Sequence, residues 1–282
     1  MVAMQDKSAI KNSQQRLTTS RRGLLVGGSA TALGTFTFGT VSAEGSVTEE
    51  VRTLRSGTRY ETPAYIREAP TAGETVVVLG GVHGSERAGI DAAHTVREWD
   101  FDQGTLVVIP EANAPAVRDS TYSGPDGDLN QQFPAGQDPT TAIAEAIWEF
   151  ITEMDPAAVI DMHSSMGIWG SSRGPSGFGQ AIFPSAAGGS REIADQVNHS
   201  LNDDLIRTSE EYDSAYEFTL GNTLGGEHPR LIHKVAADLG RAGYLTEVTR
   251  HDTDLATRTE WSEAIAAELL GHHGIKVDYT LE

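Results

Sequence analysis

The chain has 282 residues, of which 38% are hydrophobic and 22% are charged, a composition typical of a globular protein with a sizeable core. Its formal net charge of −19 argues against nucleic acids and anionic membranes as partners, because both bind to basic patches. The sequence contains no cysteine, which excludes disulfides and thiolate metal sites. Any metal must therefore be bound by histidines and carboxylates.

The first 43 residues differ in composition from the rest of the chain. A polar start is followed by the pair Arg21 and Arg22, and then by a glycine- and threonine-rich apolar stretch that ends in "VSA". This order predicts a twin-arginine export signal with cleavage after Ala43. A membrane-spanning helix is the alternative, but the apolar stretch is short and glycine-rich for one. We therefore expect an exported, extracellular or cell-surface protein with no membrane span in the mature chain. The sequence leaves open whether the signal is cleaved.

The remainder of the chain is strongly acidic and poor in lysine. Residues 1–43 hold five of the 21 basic residues but one of the 40 acidic residues, and only Lys234 and Lys276 follow as lysines. Acid-rich surfaces stay hydrated when salt screens their self-repulsion. The composition therefore predicts a halophilic protein.

Two kinds of hydrophobic pattern alternate after the export signal. Continuous apolar runs predict strands buried on both faces at residues 75–81, 105–110, 157–162, 180–184 and 244–248. Helical spacing of apolar residues predicts helices along residues 143–154, 193–205, 231–239 and 261–269, the second with Ser190 as its N-cap. Residues 111–138 and 164–179 are predicted loops. The alternation predicts a single α/β domain over residues 44–282, with a mostly parallel, mixed central sheet and helices on both faces.

Polar side chains follow several of these strands at their carboxyl ends, where function collects in such sheets. They are His83 and Glu86 after the first strand, Asn113 after the second, Asp161 and His163 at the end of the third, and Glu247 in the last. Two imidazoles and one carboxylate with an open fourth position form a catalytic zinc set. The His-x-x-Glu pair alone also fits a solvated turn, and the additional histidine favours the metal site.

Four segments together resemble the zinc carboxypeptidase superfamily, in particular its succinylglutamate desuccinylase and aspartoacylase branch. "GGVHGSERAG" is similar to the metal-binding His-x-x-Glu segment of that family, and "VIDMHSS" to the strand that ends in the third ligand. "GDLNQQFP" is similar to the Asp-Leu-Asn-Arg-x-Phe-Pro segment, and "YLTEVT" to the strand of the catalytic glutamate. The resemblance spans residues 74–250 and implies a zinc carboxypeptidase-like fold.

The resemblance implies one zinc ion held by His83, Glu86 and His163, with Glu247 as the general base. In such a site zinc polarises the scissile carbonyl and activates a bound water, while the carboxylate moves a proton to the leaving amine. The implied reaction is hydrolysis of an amide bond in a small N-acyl amino acid or a peptide, by a deacylase or a carboxypeptidase-like peptidase. Asp161 is expected on the opposite face of its strand from His163, in a structural or a ligand-supporting role.

The sequence departs from the family where the substrate is expected to bind. Gln131 follows Asn130 at the position of the family's arginine, and glutamine cannot supply a bidentate cationic fork. Arg173, in the loop after the third strand, is a candidate to replace the lost charge. Arg118 lies in the segment where the family's carbonyl-polarising arginine is expected, although a solvated loop arginine is the alternative. The family's late substrate-side tyrosine has no assigned counterpart.

Two functions of other kinds remain open. The first is a non-catalytic cell-surface binding protein on the same fold, with Gln131 as the mark of lost activity. The second is a serine hydrolase, because residues 170–174, "GSSRG", match Gly-x-Ser-x-Gly. That motif requires a helix after the serine, and "PSGFG" follows instead, which disfavours it. The sequence predicts no oligomeric state.

Overall fold

The computed structural model describes residues 45–225 and 228–279, so the predicted export signal at residues 1–43 lies outside the described residues. The described residues form eight strands: β1 (Thr48–Leu54), β2 (Thr62–Glu68), β3 (Thr71–Leu79), β4 (Gln103–Ile109), β5 (Ala158–Ser165), β6 (Ala181–Pro184), β7 (Thr219–Leu220) and β8 (Ala242–Thr249). They also form six α-helices: α1 (Arg87–Glu98), α2 (Ala114–Asp119), α3 (Ala142–Met154), α4 (Ser190–Leu201), α5 (Leu231–Lys234) and α6 (Leu255–His272). Helices α4 and α5 continue into π-helical turns at Asn202–Ile206 and Val235–Leu239.

All eight strands belong to one mixed sheet, in the order β1-β2-β4-β3-β5-β8-β6-β7. The central strands β4, β3, β5 and β8 pair in parallel, and β2 and β6 pair with this core in antiparallel fashion. Strands β5 and β8 are buried along almost their whole length, as expected for strands with helices on both sides. The predicted mostly parallel, mixed α/β sheet is confirmed.

Helices cover both faces of this sheet. Apolar residues of α1, α4 and α6 form one hydrophobic cluster with one side of the central strands, and examples are Ala92, Val197 and Ile265. Residues of α3 and α5, such as Ile147 and Ile232, form a second cluster on the opposite side. The burial of both faces fixes the sheet, so its carboxyl edge is a stable platform for polar side chains.

The structure differs from the sequence prediction at several places. The β1-β2 hairpin and its antiparallel pairing with β4 were not predicted, because both strands are only partly buried, carry charges and lack a continuous apolar run. A short helix, α2, lies inside the predicted loop 111–138. Ser190 is the first residue of α4 rather than its N-cap, which is Gly189 at φ 71. The Ser190 hydroxyl instead donates to the carbonyl of Ala187.

Among the described residues, no helix combines the length and the apolar character that a membrane crossing requires. The segment at residues 170–174 lies in a loop without a following helix, so it lacks the strand-turn-helix setting of a nucleophilic serine.

Candidate metal centre and active site

The sheet brings two neighbouring strands together at their carboxyl ends. Strand β3 pairs in parallel with β5, with Leu79 opposite Asp161, so the turn after β3 and the end of β5 meet at one edge. His83 and Glu86 lie in that turn, immediately before α1, and His163 lies near the end of β5. All three side chains are buried.

A glycine makes the path of this turn possible. A Cβ atom on Gly84 would lie 1.9 Å from the carbonyl carbon of Ala116 in α2. The backbone between His83 and Glu86 therefore packs directly against α2. The glycines of "GGVHGSERAG" allow close backbone packing around the centre.

The three side chains present their donor atoms to one point. The Nδ1 atoms of His83 and His163 are 3.1 Å apart. Glu86 Oε1 lies 3.1 Å from the first of these atoms, and Glu86 Oε2 lies 2.8 Å from the second. Among the described residues this is the one group of three or more His, Cys, Asp or Glu side chains that is close enough to hold a metal ion.

The outer nitrogens of both imidazoles face carboxylates. His83 Nε2 is hydrogen-bonded to Asp128 Oδ1 at 3.0 Å. His163 Nε2 lies 3.0 Å from Asp161 Oδ2 in an ionic contact that lacks hydrogen-bond geometry. A carboxylate beside Nε2 favours the proton on that nitrogen and leaves the Nδ1 lone pair for a metal. The structure thus supplies each candidate ligand with an orienting partner.

The position of Asp161 corrects an expectation from the sequence. Asp161 lies on the same face of β5 as His163, not on the opposite face, because side chains two residues apart in a strand point the same way. Its carboxylate is fully buried, and neither oxygen has a hydrogen bond to another described group. A buried carboxylate of this kind is costly unless positive charge lies nearby.

The electrostatics of the cluster favour a cation. Burial lowers the pKa of His163, but the carboxylates of Asp161 and Glu86 outweigh it and raise that pKa well above its usual value. Burial acts to raise the pKa of Glu86, but the two imidazoles lower it below its usual value. The negative potential that draws protons onto these histidines also attracts a divalent cation.

The donor set fits zinc. Ligand atoms about 2.0–2.1 Å from a tetrahedral zinc ion lie about 3.3 Å from one another. The separations between the three donor groups, from 2.8 to 3.1 Å, are close to that value. Two imidazoles and one carboxylate leave the fourth position for water or substrate, as catalytic zinc sites require.

Glu247 lies beside this cluster. It is directly opposite His163 in the pairing of β8 with β5, and its side chain is buried. Its Oε2 atom has no hydrogen-bond partner among the described residues. Burial raises the pKa of Glu247, and the negative charge of Glu86 raises it further. A carboxylate in such surroundings takes up a proton readily, which is the property of a general base.

The remaining residues predicted from the sequence do not all reach the cluster. Asn130 is buried, and its backbone N–H donates to Asp128 Oδ1, whereas Gln131 is exposed. Arg118 is exposed and pairs with Asp119, and Arg173 pairs with Asp213. The structure therefore brings His83, Glu86, His163 and Glu247 together and places Asn130 close by through Asp128. The two arginines pair with carboxylates outside this group.

Two further side chains at the cluster were not predicted. The ring of Tyr122 stacks on the ring of His83, with centroids 3.8 Å apart and planes inclined by 22°. Arg250 Nη2 lies 3.8 Å from Glu86 Oε1, while Arg250 Nε donates to the hydroxyl of Ser164 at 3.1 Å. Nothing in the sequence near Tyr122 or Arg250 predicted these contacts. Asp128, which bonds to His83, lies in the "GDLNQQFP" segment, but the sequence analysis gave it no role.

Part of the chain is similar to a known family of catalytic domains. Residues 72–171 match the family described as the succinylglutamate desuccinylase/aspartoacylase catalytic domain. The match includes the segments of His83, Glu86 and His163, and Glu247 lies beyond it. The resemblance to this branch of the zinc carboxypeptidase-like proteins is thereby confirmed over those residues. No similar sequence was found among curated proteins.

Several solved structures share the fold at low sequence identity. Tripeptide-bound Csd4, a cell shape determinant of Helicobacter pylori, is 20% identical with a TM-score of 0.63, over 78% of this chain and 57% of that chain. The ectoine utilization protein EutE (DoeB) of Ruegeria pomeroyi is 18% identical with a TM-score of 0.55, over 84% of this chain and 70% of that chain. A succinylglutamate desuccinylase of a Silicibacter species is 18% identical with a TM-score of 0.57, over the same shares. The chain thus spans little more than half the length of Csd4, and the likeness to these structures establishes the zinc carboxypeptidase-like fold.

Proposed function

We propose that the protein is a zinc-dependent hydrolase that cleaves an amide bond, with one zinc ion held by His83, Glu86 and His163. The observation that carries this proposal is the convergence of two Nδ1 atoms and one carboxylate, with each outer Nε2 atom facing a further carboxylate. The match of residues 72–171 to a deacylase catalytic domain supports the same reaction class.

The roles of the residues follow from their positions. When bound, zinc would polarise the scissile carbonyl and lower the pKa of a water molecule at the open position. Glu247 accepts a proton from the attacking water as the water oxygen bonds to the carbonyl carbon. The same carboxylic acid then gives that proton to the leaving nitrogen as the carbon–nitrogen bond breaks, so Glu247 returns to its starting state.

The proposed substrate is a small N-acyl amino acid or a short peptide. The matched family is described by its desuccinylase and aspartoacylase activities. Csd4, which shares the fold, is a D,L-carboxypeptidase whose structure has been determined with mDAP bound. Because Gln131 is exposed and uncharged, we do not assign it the grip on a free carboxylate that the family's arginine provides.

We further propose that the protein is exported by the twin-arginine route and works in a saline medium outside the cell. This rests on Arg21, Arg22 and the acidic, lysine-poor sequence after residue 43. A fusion of residues 1–43 to a reporter that requires this route should be exported, and replacement of both arginines by lysine should stop export. If export persists in the variant, another route carries the protein.

The test of the enzymatic proposal is hydrolysis of a panel of N-acyl amino acids and dipeptides by the zinc-loaded protein, followed through the liberated amine. We expect turnover of at least one class by the wild type and none by Glu247→Gln, because glutamine cannot accept the proton. Equal turnover by both proteins would remove Glu247 from the mechanism.

The second candidate, a non-catalytic binding protein, draws support from the exposed, uncharged Gln131. It predicts that the zinc-loaded wild type binds members of the same panel without hydrolysing any of them. Binding measured by calorimetry, together with the absence of liberated amine, would favour this candidate.

A further inference from the structure

Tyr122 lies against the candidate metal centre. Its ring lies on the His83 imidazole at 3.8 Å, and 51% of the residue is exposed. Its hydroxyl makes no hydrogen bond to any other group among the described residues. The side chain therefore contacts a candidate zinc ligand on one side and remains accessible to a small molecule on the other.

The segment around Tyr122 is held in place from both ends. On one side, Ser120 ends α2 in the left-handed conformation at φ 53, and the N–H of Thr121 donates to the carbonyl of Ala116. On the other side, Gly124 and Gly127 exchange two backbone hydrogen bonds, of 3.2 and 3.1 Å, which close a tight turn before Asp128. Such a turn limits the movement of the chain between Tyr122 and Asp128.

Residues at both ends of the segment from Tyr122 to Asp128 contact the imidazole of His83. Tyr122 covers the face of the His83 ring, and Asp128 is bonded to its Nε2 atom. The position of the phenol is thus tied to the position of the candidate ligand. A fixed donor of this kind stabilises developing charge without rearrangement during the reaction.

A substrate carbonyl beside the Tyr122 hydroxyl would need a hydrogen-bond donor. The charged groups that act on Tyr122 are the carboxylates of Asp128, Glu86 and Glu247 and the guanidinium of Arg230. Asp128 and Glu86 stay charged after Glu247 has accepted the proton from water, and both disfavour a substrate carbonyl whose oxygen becomes negative. A neutral phenol is a donor at neutral pH and brings no further negative charge.

The arginine expected for this task from the sequence pairs with a different group. Arg118 is in the same stretch of chain as Tyr122, but its guanidinium is exposed and pairs with Asp119 at 3.2 Å. Of the two side chains, only Tyr122 is in contact with the candidate ligand His83.

We propose that Tyr122 is a catalytic residue of the amide hydrolase proposed above, whose hydroxyl donates a hydrogen bond to the oxygen of the scissile carbonyl. The bond strengthens as that oxygen becomes negative, and the phenol keeps its proton throughout. Tyr122 thereby performs the carbonyl-polarising task for which the sequence offered Arg118. This inference rests on the proposed function, since it needs an amide substrate at the centre.

The test compares Tyr122→Phe with the wild type and with Tyr65→Phe, a matched control in β2, where Arg97 lies over the Tyr65 ring. Phenylalanine keeps the ring on His83 and removes only the hydroxyl, so zinc content should not change. Loss of one donor to the developing oxyanion should lower kcat about 100-fold and leave KM nearly unchanged. Tyr65→Phe should behave as the wild type.

A second measurement does not depend on turnover. A phosphinate analogue of the best N-acyl amino acid copies the tetrahedral, negatively charged centre, and its affinity can be measured by calorimetry. Its Kd should weaken in Tyr122→Phe by about the factor found for kcat, because both report binding of the transition state. The affinity for the uncleaved substrate, measured in the inactive Glu247→Gln background, should be unaffected.

Three results would distinguish a wrong role for Tyr122 from a wrong proposed function. An active wild type with unchanged kcat and analogue affinity in Tyr122→Phe would overturn the role of Tyr122 and leave the proposed function intact. Loss of activity and analogue affinity in Arg118→Gln rather than in Tyr122→Phe would assign the task to Arg118. A zinc-loaded wild type that hydrolyses no amide would overturn the proposed function itself.

Discussion

The Nε2 atom of His83 lies 3.0 Å from Oδ1 of Asp128, and the carboxylate also accepts the backbone N–H of Asn130. Asp128 thus joins the turn after β3 to the segment after α2. The contact fixes the orientation of the imidazole and directs its Nδ1 atom towards Glu86 and His163. A histidine held in this way loses less freedom when it binds a metal.

We expect Asp128→Asn to weaken zinc binding about 10- to 100-fold, because the amide keeps the shape of the side chain but not its charge. Competition with a chromophoric chelator gives the zinc Kd of each variant. Asp126→Asn is the matched control, since Asp126 lies in the same segment but pairs with exposed Arg59. Equal zinc affinity of Asp128→Asn and wild type would show that Asp128 does not support His83.

Replacement of Gly84 by alanine should damage both the fold and the centre. The added methyl group would lie 1.9 Å from the carbonyl carbon of Ala116, and backbone atoms cannot yield as a flexible side chain can. We expect Gly84→Ala to lower the free energy of unfolding by about 2–3 kcal/mol, as overpacking does, and to weaken zinc binding.

A glycine without such contacts provides the control for Gly84. Gly271 lies in α6, and a Cβ atom there would have no neighbour within 4 Å. Gly271→Ala should leave the free energy of unfolding unchanged or raise it by up to about 1 kcal/mol. Urea denaturation of both variants measures the difference, and equal stabilities would contradict the close packing at Gly84.

Lys234 is a buried cation that ties a loop to the core. Its Nζ atom donates to the carbonyls of Pro134 and Gln137 and pairs with Asp238. Lys234→Met leaves these groups without their donor and should cost about 3 kcal/mol in the free energy of unfolding. Lys276, the other lysine after residue 43, is exposed, and Lys276→Met should change that free energy little. Similar losses in both variants in urea denaturation would refute this account.

His273 should make the protein less stable in mild acid. Its Nε2 atom lies 2.8 Å from the hydroxyl of Tyr244, from which a neutral imidazole accepts. Burial lowers the pKa of His273 from 6.5 to about 4, with a smaller contribution from His272. The unfolded chain therefore takes up a proton on His273 at a higher pH than the folded chain does. The contribution of the neutral His273 to the free energy of unfolding is complete above pH 6.5 and is lost as the pH falls towards 4.

The measurement for His273 is the free energy of unfolding of wild type and His273→Phe at about pH 7.5 and about pH 5. Phenylalanine fills the space but does not titrate, so the advantage of the wild type over the variant should shrink as the pH is lowered. A difference between the two proteins that stays constant across this range would rule out the linkage.

The sequence predicted the features that depend on strong local patterns. Continuous apolar runs located the five strands around the centre, and His83, Glu86, His163 and Glu247 stood at the ends or along the course of those strands. The β1-β2 hairpin escaped this reasoning because its strands are partly exposed and carry charges. A two-residue period appears in the burial of β2 but not in that of β1, so the sequence offered no clear strand pattern for the hairpin.

The parts of the site that escaped prediction depend on contacts between distant segments. Tyr122 stacks on His83 across 39 positions of the chain, and no local pattern specifies such a contact. Asp161 is different, because the two-residue period of a strand already places it on the face of His163. Arg118 and Arg173 were chosen for their charge and their place in the sequence, and in the structure Arg118 pairs with Asp119 and Arg173 with Asp213.

The most direct test of the central claim is the zinc content of the purified wild type, His83→Ala and Glu247→Gln, measured by elemental analysis beside their hydrolytic activity. We predict about one zinc per chain in the wild type and in Glu247→Gln, and none in His83→Ala, with hydrolysis by the wild type only. A wild type without stoichiometric zinc, or a His83→Ala variant that retains it, would contradict the account.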